Sequence, residues 1–75
     1  MPLEVNKQVL ERLLGVRIRT WRAGEKPTGG FLGELKLNEE GRYIVQDGED
    51  YRELRHGDNL TYLNRGGRLT TQRIR

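Results

Sequence analysis

Hydrophobic positions change their period once along this chain, and the change divides it in two. Over residues 3–14, Val5, Val9, Leu10, Leu13 and Leu14 recur at helical spacing, while Lys7, Gln8, Glu11 and Arg12 take the opposite side. This is the pattern of one amphipathic helix. Pro2 suits a helix start, and Gly15 stands where helices commonly end in the left-handed conformation. Three turns are too few for a helix to persist alone in water, so its apolar face requires a partner.

From Val16 onward the period is two. Val16, Ile18 and Thr20 alternate with Arg17, Arg19 and Trp21, the signature of a half-buried strand. A loop with Pro27 and three glycines follows over 24–30. Phe31, Gly33, Leu35 and Leu37 then alternate with Glu34 and Lys36 in a second strand. Residues 38–41 form a turn and 42–46 a third strand. Asp47-Gly48 is the strongest hairpin signal in the chain, because glycine accepts the positive φ of a primed turn. His56-Gly57-Asp58 makes another break, and two last strands, 59–64 and 68–75, meet across Gly66-Gly67.

A helix followed by five or six short strands, with turn signals roughly every eight to twelve residues, predicts a mainly β fold. The first choice is a small SH3-like antiparallel barrel over residues 16–75, capped by the N-terminal helix in one domain spanning 1–75. Closure would remove vulnerable sheet edges. An OB-like barrel is second, because the chain is short for it and its helix precedes the strands. Parity fails in three places. Leu69 and Ile74 cannot share a face without a bulge, Ile44 opposes Tyr43 and Val45, and Leu63 opposes Leu60 and Tyr62. Either the helix covers part of the outer face or the protein self-associates, and the helix is preferred because its apolar face needs a partner.

Composition narrows the chemistry. The 75 residues include no cysteine and no serine, so disulfides, thiolate metal sites and the usual nucleophiles are absent. The only histidine, His56, sits in a turn, and metal sites need clustered ligands. Asp47-Gly48-Glu49-Asp50 does not have the ligand spacing of a calcium loop, and the loop over 24–30 lacks the order of a phosphate loop. These readings predict no catalytic residue, no metal and no cofactor. Apolar runs of two or three residues predict no membrane span. Pro2, Glu4 and Asn6 interrupt any signal-peptide layout, which sets the expectation of a cytoplasmic protein.

Charge is unevenly placed. Residues 39–58 hold seven carboxylates against three arginines, a net of −4, while the rest of the chain carries +7. If Val16 and Ile18 face the core, Arg17, Arg19 and Trp21 face outward, since burying two arginines would cost far more than exposing a Trp. Arg22 lies beside that strip, and in a barrel Lys36, Arg73 and Arg75 join it. Basic side chains with an aromatic for stacking suit single-stranded nucleic acid, and the arginines alone suit duplex phosphates. Trp and Arg are equally the residues of protein interfaces. Solvated surface and packing of Trp21 beneath the helix are the plainer readings of the same residues.

Gly41-Arg42-Tyr43, Asp47-Gly48, Leu54, Gly57-Asp58 and Arg73-Ile74 together resemble a group of very small uncharacterised β-rich proteins of Gram-positive bacteria and their mobile elements. The resemblance covers the C-terminal half. It implies a small β fold and a phage or plasmid context, and it carries over no catalytic or binding residue. The chain departs from it at 49–53, which reads as an insertion, and in a last strand without an aromatic. The combined expectation is a non-enzymatic, nucleic-acid-associated accessory or regulatory protein, monomeric or weakly dimeric. The alternative is a protein-interaction module, such as a phage-type inhibitor or adaptor docking on a partner protein.

Overall fold

The computed structural model describes residues 3–5 and 7–74. Its elements are β1 (Leu3–Val5), α1 (Lys7–Arg12), β2 (Arg17–Trp21), a 3-10 turn (Pro27–Gly29), β3 (Phe31–Leu37), β4 (Tyr43–Asp47), β5 (Asp50–Glu53), β6 (Asn59–Leu63) and β7 (Leu69–Ile74). One sheet holds all seven strands in the order β1-β7-β6-β2-β3-β4-β5. Neighbours from β7 to β5 pair antiparallel, and β1 pairs parallel with β7.

The mainly β class stands, but the sheet is not closed into an SH3-like barrel: β1 and β5 remain as its two lateral edges. Leu10 of α1, Leu54 just beyond β5 and Ile74 of β7 line one groove, and all three pack on the same apolar cluster. The helix thus occupies the gap that closing strands would seal. Asp50–Glu53, read as an insertion, is the edge strand β5. It is short and rich in charge, as edge strands that avoid foreign pairing tend to be.

The N-terminal element also departs from expectation. Leu3–Val5 lies in register with Gln72–Ile74 as a strand, so the helix is confined to Lys7–Arg12. The Leu13 amide donates to the Val9 and Leu10 carbonyls, and Gly15 then turns the chain with φ +85°. Extension of Leu3–Val5 satisfies backbone groups on the free side of β7, a non-local reward that helical periodicity does not register.

One face of the sheet carries the core. Ile18, Leu35, Tyr43, Val45, Leu60 and Ile74 cluster there with Leu10 of α1 and Leu13 just beyond it, and Val9, Val16 and Phe31 pack around them. The helix therefore covers the core face and not the outer one. Gly33 is required on that face: a Cβ there would meet the Gln46 carbonyl oxygen at 2.5 Å. Thr20 is fully buried, and its hydroxyl donates to the Asn59 carbonyl at 2.9 Å, so its polar atom costs little. Asp58 is buried and accepts from the Arg55 amide at 2.9 Å, while Gly57 and Asp58 exchange backbone bonds with Ile74.

Gly48 has φ +61° in a two-residue loop closed by the Asp47–Asp50 pair. A positive φ at the first central position alone is the arrangement of a type II′ turn. Gly48→Ala is expected to lower stability by about 1 kcal/mol, read from the thermal midpoint, even though the added Cβ meets nothing. Leu13, buried against the sheet, should matter more: Leu13→Ala is expected to cost about 2 kcal/mol or more in urea unfolding. An unchanged urea midpoint would show that the helix contributes nothing to the cooperative unit.

Candidate interaction surface

Strand alternation sets the outer face. β2 contributes Arg17, Arg19 and Trp21, β6 contributes Asn59, Thr61 and Leu63, and β7 contributes Leu69, Thr71 and Arg73. Register aligns these into rows: Trp21, Asn59 and Arg73; Arg19, Thr61 and Thr71; and the pair Leu63 and Leu69. No carboxylate occurs anywhere in β2, β6 or β7. Side-chain bonds run along two of these rows: the Thr71 hydroxyl donates to Thr61 Oγ1 at 3.3 Å, and Arg73 Nε donates to Asn59 Oδ1 at 3.3 Å.

The expected basic strip is brought together only in part. Arg17 and Arg19 line one groove, and Arg73 lies farther along the same face. Lys36 is on the outer face of β3, in register with Ile44 and removed from that groove. Arg22 lies past the end of β2, where its amide donates to Glu25 Oε1 at 2.8 Å, and it borders a separate depression with Tyr51 and Arg55. Arg75 lies outside the described residues.

Trp21 shares the face of Arg17 and Arg19 but is only 9% exposed, and it stands outside the cluster that contains Leu10 and Leu13. It is therefore neither an open stacking platform nor packed beneath the helix. The chain that follows it explains its burial. The 3-10 turn Pro27–Gly29 packs back on β2, and Gly30 comes so close that a Cβ there would lie 3.1 Å from Trp21 Cβ.

Sequence reasoning missed the apolar part of this face. Leu63 is 62% exposed and Leu69 is 72% exposed, directly paired across β6 and β7. With half-buried Leu32 and Tyr62 they line a groove of about 350 Å³ beside Arg17 and Arg19. The signal was present in their parity, which set Leu63 and Leu69 against the core-facing residues of their strands. Single exposed leucines are ordinary on a folded protein, whereas these two stand side by side across a strand pair and line one groove.

Beyond the pair, Asn64 shapes the β6–β7 turn. Its Oδ1 accepts from the Gly66 and Arg68 amides at 2.9 and 3.1 Å, and Gly67 takes φ +76°. Arg65 and Arg68 are held there exposed. Ion pairs among the described residues join Arg42 to Glu40 and Glu53, and Arg52 to Glu25. Arg17, Arg19, Arg65, Arg68 and Arg73 belong to none of them. Glu34 is in register with Arg17, yet the two do not form an ion pair.

Carboxylates gather at the other side of the sheet, in the β3–β4 turn and the β4–β5 hairpin. Among them, the Arg42 guanidinium is held more firmly protonated by its hydrogen bond to Glu53. In the β2–β3 loop, the Glu25 carboxyl is pulled below its usual range, first by the Arg22 amide and then by Arg52. Burial pushes the Tyr43 hydroxyl up. None of these groups touches the groove. Among the described residues, no three of His, Asp and Glu gather in a group able to hold a metal ion, and no helix is long and apolar enough to cross a membrane. Comparison with protein families, with curated proteins and with solved structures finds no match to this chain.

Trp21 is the chain's single tryptophan, so its environment can be read directly. Native fluorescence is expected to be blue-shifted from that of the unfolded chain and shielded from acrylamide. Strong acrylamide quenching in the native state would contradict the burial described. Trp21→Ala is expected to cost about 3 kcal/mol or more in stability, from the cavity it leaves.

Proposed function

We propose that this protein is a non-enzymatic docking domain, and that it engages a partner protein through the outer face of β7, β6 and β2. The observation that carries the reading is the exposed, in-register Leu63–Leu69 pair set in a groove with two arginines. An apolar centre with a guanidinium rim matches the layout of protein interfaces, whose buried core is more apolar than the rim and depleted of most charges while arginine is enriched. A regulator or adaptor that occludes or recruits a larger protein needs no more chemistry than this.

Association with nucleic acid is the second reading, supported by the absence of any carboxylate from three adjacent strands that carry Arg17, Arg19 and Arg73. With Trp21 buried, it would act on the phosphate backbone and not by base stacking. The two readings differ in what they ask of the leucines. Phosphate contact makes no use of them, whereas a protein interface depends on them.

Affinity capture from cell extract, with and without nuclease, separates the readings. Partners retained after digestion, and lost when Leu63→Ser and Leu69→Ser are combined, are the expected result. Both leucines are exposed, so these changes should leave stability within about 0.5 kcal/mol. Capture that disappears with nuclease, survives the leucine changes and falls with Arg17→Ala and Arg19→Ala would place nucleic acid first. In that case the logarithm of affinity should fall with that of salt by about 0.7 to 0.9 per phosphate neutralised.

A further inference from the structure

We infer that the occupant of the groove is an acidic amphipathic segment of the partner protein, which seats apolar side chains among Leu32, Leu63 and Leu69 and places carboxylates on Arg17, Arg19 and Arg65. The inference rests on the docking reading above and names the chemistry of its partner. Three observations support it.

The first is size. A groove of about 350 Å³ is near the lower limit of ligand pockets, enough for one or two apolar side chains projecting from a peptide. It lies on a sheet face and not at an edge, since the free edges are β1 and β5. Side-chain recognition, as when an amphipathic helix lies in a groove, suits this position better than addition of a strand at a free edge.

The second is charge. Arg17 and Arg19 line the groove, and Arg65 stands in the turn directly beyond Leu63. None of the three is in an ion pair among the described residues. Guanidinium forks match carboxylates in bidentate geometry, so an acidic peptide gains charge-assisted bonds as the leucines are covered. A second copy of this chain does not fit as well. A two-fold interface would bring the same arginine-bearing patch to both sides, and the acidic turns lie on the other side of the sheet. A nucleic acid would satisfy the arginines but leave the leucine pair without an apolar partner.

The third is rigidity. Asn64 holds the turn with two accepted amide bonds, and the backbones of Asn64 and Arg68 are joined at 2.9 Å. The backbone that carries the leucine pair and Arg65 is thus ordered before binding, which lowers the ordering cost that otherwise erodes affinity.

The test pans a displayed library of random peptides against the full-length protein and titrates the selected peptides by fluorescence anisotropy. Enrichment of apolar residues at helical spacing among Asp and Glu is expected. Binding of these peptides should weaken at least about tenfold with Leu63→Ser plus Leu69→Ser and with Arg17→Glu. Amide shifts in nuclear magnetic resonance should map to β6, β7 and the start of β2. Selection of basic or neutral peptides, of none, or of peptides indifferent to these changes would overturn the inference. Two further results would overturn it while leaving the docking face standing. Self-association in sedimentation that is lost with Leu63→Ser would assign a second copy, and leucine-dependent capture of a folded protein that no peptide reproduces would assign a globular surface. If neither the leucine nor the arginine changes alter any binding, the docking reading itself fails.

Discussion

A single sheet has two faces, and this chain has one short helix with which to cover them. That constraint organises the rest of the molecule. Leu10 of α1 and Leu13 in the turn after it go to the face that bears Ile18, Leu35, Val45 and Leu60, the four large aliphatic side chains that are fully buried. Closing the sheet into a barrel would have hidden that face without a helix. With β1 and β5 left as separate edges, α1 supplies the missing cover. Nothing equivalent remains for the opposite face. It is managed strand by strand: Trp21 lies where the Pro27–Gly29 turn folds back on β2, Ile44 is flanked in register by Lys36 and Glu53, and Leu63 and Leu69 are left open.

This uneven cover explains which features were legible in the sequence. Strand positions were clear wherever alternation coincided with glycine-bearing turns, as over Phe31–Leu37 and in the strand leading into Gly48, because period and φ are local properties. The class of fold followed from them. Closure was not legible, since it depends on whether two edges distant in sequence meet. Nor was the truncation of the helix, because Leu3–Val5 is drawn into the sheet by β7, which lies at the far end of the chain. Helical spacing of Val5, Val9 and Leu13 is compatible with either outcome when only one turn and a half is finally helical.

The candidate site was legible in its charges and not in its centre. Placing Arg17 and Arg19 outward was a two-residue parity argument and needed no tertiary knowledge. Trp21 obeys the same parity yet is buried, because parity selects a face and not the depth of what lies above it. Gly30, which offers no side chain, and the turn before it decide that depth. Leu63 and Leu69 appeared as errors in an otherwise regular pattern. Such departures carry information, because they mark where apolar surface stays open to water.

Two turns of this molecule share one backbone design and differ in charge. The β3–β4 and β6–β7 turns share the order Asn-x-x-Gly-Arg, at Asn38–Arg42 and Asn64–Arg68. In both, the Asn side-chain oxygen accepts two amides, of Glu40 and Arg42 in one and Gly66 and Arg68 in the other, and the glycine takes a positive φ of +79° or +76°. The residues between differ. One turn carries Glu39 and Glu40, and its Arg42 is spent on Glu53 and Glu40. The other carries Arg65, and neither it nor Arg68 is paired. The same turn is thus electrostatically self-satisfied beside the acidic edge and unsatisfied beside the open leucines. Geometry fixes both turns equally, so the difference in what each can attract lies in side-chain charge and in the apolar pair next to it.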